Sequence, residues 1–237
     1  MKTLHYIHDR ISEYLRWSQP SFLQKHLLGL HTDCIDYDFV RVQEAAREAA
    51  EYRTKKMSLA RNHKTDWHLR EAVLPHIRPG AILEFGVATG RSINHLARLC
   101  PDRKIYGFDS FQGLPEDWTD DFRQGHFNQN APRVRDNVKL VPGLFQDTLQ
   151  DFLSTLDEPI ALIHIDCDLY TSTRYVLNTL RDYISKDLYI MFDEYINYPE
   201  WRQGEFKAWQ ELAKKYDIRY TYTDLVSRQK QVTIRIL

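Results

Sequence analysis

From Ala81 onward, short apolar runs alternate with amphipathic stretches. The runs 81–87 (AILEFGV), 104–110 (KIYGFDS), 138–143 (VKLVPG), 160–166 (IALIHID) and 188–195 (LYIMFDEY) predict five strands. The segments between them are long enough for crossover helices, which predicts right-handed βαβ units and a parallel sheet. A helix over 206–216 (FKAWQELAKKY) precedes two alternating runs, IRYTYTDL and QVTIRIL. Joined by the polar stretch 226–230, these two predict a closing antiparallel hairpin. The pattern is that of a Rossmann-like α/β domain over residues 79–237, with no internal repeat. Residues 115–137 break the regularity as a loop too long to be idle in a compact domain.

The first 78 residues read differently, as a helical cover or lid. Leu4, Ile7, Ile11, Tyr14 and Leu15 recur at helical spacing and predict one apolar face. Residues 29–38 carry no period and predict a connector. Residues 39–61 are rich in Ala, Glu and Arg, as helices prefer. Asp66 is placed to cap a further helix through Ile77, which the turn Arg78-Pro79-Gly80 ends. Such a unit suits three roles, covering one sheet edge, closing over a substrate, or contacting a second copy in a homo-oligomer.

Composition narrows the picture. The chain has 237 residues, 43% hydrophobic and 27% charged, with a formal net charge of −1. That is ordinary for a folded domain and excludes a long disordered chain. A near-neutral balance gives no reason to expect nucleic acid, which needs clustered surplus Lys and Arg. Cys34, Cys100 and Cys167 are scattered and form no CxxC pair, so neither a disulfide framework nor a zinc site is expected. The N-terminal run MKTLHYIHDRISEYLRW lacks the apolar core of a signal peptide, and no window is long and apolar enough to span a membrane. The expected location is cytoplasmic.

The first predicted strand ends in Glu84-Phe85-Gly86-Val87-Ala88-Thr89-Gly90, and a helix follows from about Ser92. Glycines at such a turn let the backbone approach a ligand, and the helix N-terminus offers unpaired N–H groups. A dinucleotide fingerprint would read GxGxxG; here Ala88 replaces the second glycine and an acid precedes the turn. An acid there suits a cationic ligand, and S-adenosylmethionine carries both a sulfonium and an ammonium. The second strand ends at Asp109, 23 residues after Gly86, near the spacing expected of an acid that grips ribose hydroxyls. A flavin- or NAD-type domain stays open as the alternative.

Further along, Asp166 and Asp168 project on one face of a strand end, and Asp193-Glu194 closes the next strand. If the two strands are neighbours, three or four carboxylates converge, with no Lys or Arg in either run. Two carboxylates about 5 Å apart repel by about 3 kcal/mol at an effective dielectric near 20. Crowding of this kind calls for a proton, a cation or a metal, and all-oxygen ligation favours magnesium, calcium or manganese. The plain alternative is that these acids cap strand ends and helices, Asp168 above all. His164 reads as a core residue, and His126 as a loop residue with some chance of touching substrate. Tyr195, Tyr198, Trp201 and Arg202 leave the fifth strand beside the expected site. Aromatic faces pack on sugars or flat rings, and these four either meet the acceptor or fill the gap to the next helix.

The runs LEFGVATGRS, GFDSFQGLPEDW, GLFQDTL, HIDCDLYTST and FDEY together resemble the macrocin O-methyltransferase family, over roughly residues 66–237. The resemblance implies a class I methyltransferase fold with a seven-stranded sheet, S-adenosylmethionine as cofactor and magnesium or manganese as metal. It implies that Glu84, Gly86 and Gly90 line the methionine part of the cofactor, and Ala88, Ser92 and Asp166 are counted among the cofactor-binding residues. Asp109 would hold the ribose, Ser110 and Phe111 would flank the adenosine, and Leu144 or Phe145 would lie near the adenine. The metal would rest on Asp166, Asp193 and Glu194, where the family usually has Asp at the last position. Asp166 or Asp168 would act as base. The expected activity is methyl transfer to a hydroxyl of a small molecule, a sugar or other product of secondary metabolism. Metal-free N-methylation, or a SAM-binding partner that performs no chemistry, remains the alternative.

Overall fold

Strand runs without polar alternation belong at the centre of a covered parallel sheet. The computed structural model, which describes residues 37–118 and 122–237, places them there. The apolar face expected over residues 4–15, Cys34 and most of the 29–38 connector lie outside the described residues. Strands β2 (Ala81–Phe85), β5 (Ile160–Ile165) and β6 (Tyr189–Phe192) are buried at every position. They are flanked by β3 (Ile105–Asp109) and β4 (Val138–Pro142) on one side, and by β7 (Tyr220–Leu225) and β8 (Val232–Ile236) on the other. With the two-residue β1 (Arg61–Asn62), the sheet runs β4-β3-β2-β5-β6-β8-β7-β1. Only β8 is antiparallel, to both β6 and β7. This is the expected mostly parallel sheet with its closing hairpin.

Helices cover both faces. On one side α2 (Asp66–Val73) and α3 (Arg91–Leu99) bring Leu69, Val73, Ile93 and Leu96 onto Ile82, Leu162 and Met191. On the other, α4 (Phe145–Thr155), α5 (Tyr170–Thr179) and α6 (Glu205–Lys215) pack with α1 (Tyr37–Lys56) against Leu83, Phe85, Ile163 and Phe192. The link from β3 to β4 contains neither helix nor strand among its described residues. No described helix is long and apolar enough to cross a membrane.

The N-terminal region departs from the all-helical expectation. The helix expected over 39–61 stops at Lys56, and β1 adds to the sheet beside β7, pairing Arg61 with Asp224 and Asn62 with Leu225. Asp224 explains this: its carboxylate has no exposure and must be partnered. Arg61 donates to it at 2.9 and 3.2 Å, and His63 lies 2.7 Å away. The next helix is capped by Thr65, whose side chain accepts from the His68 N–H at 3.3 Å. Asp66, the expected cap, instead pairs with Arg70 one turn on, at 2.8 Å. The helix also ends earlier than Ile77, giving way at Leu74 to a short 3-10 turn that contains Pro75.

His95 on α3 is nearly inaccessible, its ring 3.8 Å from that of Trp67, and neither ring nitrogen has a hydrogen-bond partner. Burial, helped by the charges of Arg70 and Arg98, pushes its pKa down to about 4. The unfolded chain therefore takes this proton first, so stability present above about pH 6.5 drains as pH falls toward 4. We expect His95→Leu to remove up to about 3 kcal/mol of acid sensitivity over that window. Urea unfolding at pH 7 and pH 4.5 checks it; equal acid losses in wild type and variant would mean that His95 accepts its proton without unfolding.

Candidate active site

The register of the parallel strands builds the site. Phe85 pairs with Phe108 and Ile165, and Ile165 with Phe192. The residues that follow, Asp109, Gly86, Asp166 and Asp193, therefore stand in one row across β3, β2, β5 and β6. Backbone bonds continue the pairing into this row: Gly86 N–H to Phe108 O at 2.9 Å, Asp166 N–H to Phe85 O at 2.8 Å, and Asp193 N–H to Ile165 O at 2.9 Å. After β2 the chain turns outward to β3 and β4, then crosses back to β5. The row thus straddles the topological switch point, where α/β sheets bind ligands.

A cleft opens there. Gly86, Ala88, Asp109, Ser110, Leu144, Phe145, Asp166 and Asp168 line it, and Leu114, Pro115 and Phe127 close it from the long loop. The backbones of β2 and β5 come so close that a Cβ on Gly86 would sit 1.7 Å from the Asp166 carbonyl oxygen, and Gly86 has φ of +91°. Asp109 knits the turn together. One oxygen accepts the N–H groups of Val87 and Ala88 at 2.9 and 2.8 Å, and the other that of Phe111 at 2.7 Å.

Not every expected cofactor residue reaches the cleft. Glu84 is fully buried beneath its floor, with one oxygen accepting Ser92 Oγ at 2.8 Å and the other 2.9 Å from His164 Nδ1. Ser92 is committed to that bond. Gly90 caps α3 in a left-handed conformation, and Phe111 packs beside the cleft with the α2–α3 core.

The carboxylates do converge. His164, Asp166 and Asp193 offer ligand atoms within 4.8 Å of one another. The Nδ1···Glu84 bond leaves His164 Nε2 as the ring atom facing this group, 4.0 Å from Asp193 Oδ1 and without a hydrogen-bond partner. His164 is thus both the core residue expected and a member of the cluster. Burial, then the charges of Asp193 and Asp168, raise the Asp166 pKa well above the usual carboxylate range. Asp168, with φ of +60°, is pushed up to about 7 by burial and by Glu194 and Asp193. Its side chain does not cap α5. Burial pushes Glu194 to about 7 as well, against the pull of Lys230.

Two members of the cluster escaped sequence reasoning. Lys230, from the β7–β8 connection, places Nζ 2.6 Å from Glu194 Oε2, so the cluster is not without a cation. Glu205, at the start of α6, is fully buried and accepts the Glu194 N–H at 2.9 Å. Desolvation and the charges of Glu194 and Asp193 raise its pKa strongly. Nothing local in the sequence signalled that the first glutamate of α6 turns inward.

The four expected acceptor residues separate. Tyr195 and Trp201 fill the gap between sheet and α6: Tyr195 OH lies 2.8 Å from Tyr222 OH, and Trp201 packs edge-on against Tyr52 and Phe206. Arg202 stacks over Trp201 at 4.1 Å and pairs with Glu48 at 3.1 Å, away from the cleft. Only Tyr198 borders the cluster, donating to Glu194 O at 3.1 Å. His126 packs on Phe122 and on the cleft-lining Phe127.

Comparison with known proteins bears on family and fold. The profile of a family described as Macrocin-O-methyltransferase (TylF) matches residues 65–221. The chain is 28% identical over 173 residues to demethyldecarbamoylnovobiocin O-methyltransferase of Streptomyces niveus, covering 62% of this chain and 63% of that protein. It is 28% identical over 182 residues to 8-demethyl-8-(2,3-dimethoxy-alpha-L-rhamnosyl)-tetracenomycin-C 4'-O-methyltransferase of Streptomyces olivaceus, covering 66% of this chain and 65% of that protein. The chain therefore spans a little under two thirds of the length of both relatives. Among solved structures, that of CalS11, a calicheamicin methyltransferase, superposes with a TM-score of 0.63 at 24% identity, over 88% of this chain and 96% of that one. At that identity the likeness is one of fold.

The close approach at Gly86 is directly testable. Gly86→Ala must push β2 from β5 or strain the turn, and should cost at least about 1–3 kcal/mol. Urea midpoints measure the cost, and a variant as stable as wild type would mean that the two strand ends yield freely.

Proposed function

The chain belongs to the macrocin-O-methyltransferase (TylF) family, and on that premise we propose that it methylates a hydroxyl of a small molecule with S-adenosylmethionine. The observation that carries this reading is the row Asp109, Gly86, Asp166, Asp193 at the switch point of the sheet. The two relatives are named as O-methyltransferases, one acting on a rhamnosyl-tetracenomycin. Their names support a sugar or related secondary metabolite as acceptor.

The cleft fits the cofactor. Gly86 has no Cβ to collide with the Asp166 carbonyl, so the ends of β2 and β5 come together at the cleft that Gly86 lines. Asp109 has about four lone-pair sites and uses three on backbone N–H groups, which leaves acceptor capacity for a ribose hydroxyl. Leu144 and Phe145 offer an apolar wall for adenine. S-adenosylmethionine supplies a methyl group on cationic sulfur, and that sulfur leaves as a neutral thioether. Burial and mutual repulsion disfavour charge on Asp166 and Asp168, and a cation beside them relieves that repulsion.

The harder partner is the acceptor, because an aliphatic hydroxyl holds its proton tightly near neutral pH. Asp168 lines the cleft with a pKa of about 7, suited to accept that proton under ordinary conditions. The cluster also fits a hard divalent cation, magnesium or manganese. Asp166 and Asp193 would hold it, joined by the unpartnered His164 Nε2, which Glu84 orients from behind. Such an ion supplies Lewis acidity that lowers the hydroxyl pKa. Glu194, the third ligand that the family resemblance implies, is engaged with Lys230.

Calorimetry should detect S-adenosylhomocysteine binding, and Asp109→Ala should weaken it by about 1.5–3 kcal/mol. Unchanged affinity would remove Asp109 from the cofactor site. With a panel of glycosylated acceptors, chelation should abolish turnover while leaving that affinity intact, and magnesium or manganese should restore it. Full turnover after exhaustive chelation would favour metal-free transfer, with nitrogen as the acceptor atom.

A further inference from the structure

The β7–β8 connection does more than close a hairpin. It carries Lys230 to within 2.6 Å of Glu194 Oε2, and the next residue, Gln231, donates Nε2 to Asp193 Oδ1 at 3.1 Å. The Lys230 carbonyl accepts the N–H groups of Tyr195 and Ile196 at 3.2 and 3.3 Å. Main chain and side chains of two consecutive residues thus grip the turn that carries both acids. The ammonium also lies 5.1 Å from the ring centre of Tyr198 and 5.6 Å from that of Trp118, within the range of cation–π attraction.

We propose that Lys230 is a built-in counter-ion that holds Glu194 out of the cation site and thereby sets the affinity of that site for a divalent ion. The inference rests on the divalent-cation reading of the cluster. Glu194 is one methylene longer than aspartate, and its carboxylate turns to the hairpin. The ligand atoms that gather within 4.8 Å come from His164, Asp166 and Asp193 and do not include Glu194. His164 Nε2, on a residue with no exposure, faces that group without another partner. One fixed positive charge beside the cluster has two effects. It neutralises a carboxylate that would otherwise be available as a ligand, and it repels a second cation across a partly buried gap. The two aromatic faces add to the attraction that keeps the ammonium at Glu194.

Manganese titration followed by electron paramagnetic resonance, on the full chain, tests this. Glu194→Gln should change the manganese Kd by less than about threefold, because its carboxylate is already occupied. Lys230→Met should tighten binding about tenfold, the factor that 1.4 kcal/mol from ligation by the freed Glu194 carboxylate produces. Adding Glu194→Gln to Lys230→Met should cancel the gain, and Lys230→Arg should keep the wild-type value. S-adenosylhomocysteine calorimetry on each variant verifies that the cleft is folded. A tenfold weakening in Glu194→Gln, or no tightening in Lys230→Met, overturns the inference while leaving the cation site in place. If neither wild type nor Lys230→Met binds manganese, yet S-adenosylhomocysteine still binds, the inference and the divalent-cation reading fall together and the cofactor reading stands. Binding by Lys230→Met alone would support the counter-ion role and show that it excludes the ion from the native chain.

Discussion

Strands β3, β2, β5 and β6 run parallel in register and stop together, and that shared ending is the constraint on which the rest depends. Hydrogen bonding between parallel strands fixes each residue against its neighbour, so the residues at the strand ends are not free to choose their places. Here those residues are Asp109, Gly86, Asp166 and Asp193. Three are acids, and the fourth has no side chain. The glycine allows the strand ends to approach, and the approach brings the acids to the mouth of one cleft. The hydrophobic interior below, from Phe85 to Ile190, keeps the strands in register. Burial of that core and crowding of charge at its rim are two consequences of one geometry.

The rim must then balance its charge. Glu84 accepts hydrogen bonds from His164 Nδ1 and Ser92 Oγ, so its cost is met inside the sheet. Glu205 accepts a backbone N–H, and burial beside Glu194 and Asp193 raises its pKa. Lys230 meets Glu194 from the hairpin. Asp166 and Asp168 line the cleft, and Asp193 stands beside Asp166. Each acid held without an internal cation favours a positive ligand, and both the sulfonium of the proposed cofactor and a divalent ion answer that description. A folded chain that has already borne the repulsion binds such a ligand without reorganising.

How much of this was legible in the sequence follows the range of the interactions. The central strands were readable because burial on both faces leaves unbroken apolar runs. The glycine turn and Asp109 were readable because a ligand-binding turn needs its residues at fixed spacing. β1 was not: two residues carry no period, and what draws them to the sheet is Asp224, far along the chain. Lys230 and Glu205 escaped for the same reason, since a polar loop and a helix start look alike whether they face solvent or a buried acid. Tyr195 and Trp201 misled in the opposite direction. An aromatic run leaving a strand end sits equally well in a core or a cleft, and only the packing of Tyr52, Phe206 and Tyr222 decides for the core.

That decision moves the acceptor side of the cleft. With Tyr195 and Trp201 withdrawn into the core and Arg202 bound to Glu48, the β6–α6 segment offers Tyr198 alone to the acid cluster. The opposite wall comes from the long β3–β4 connection, which supplies Leu114, Pro115 and Phe127 to the cleft and sets Trp118 against Lys230. Phe122, His126 and Phe127 pack on one another there, so the wall has a small aromatic core of its own. Such rings suit the apolar face of a sugar, with polar tips left to orient its hydroxyls. Lys230 touches both sides, Tyr198 of one segment and Trp118 of the other. The residue that neutralises Glu194 therefore also joins the two walls between which an acceptor would enter. Charge balance at the strand ends and the shape of the entrance are coupled through that one side chain.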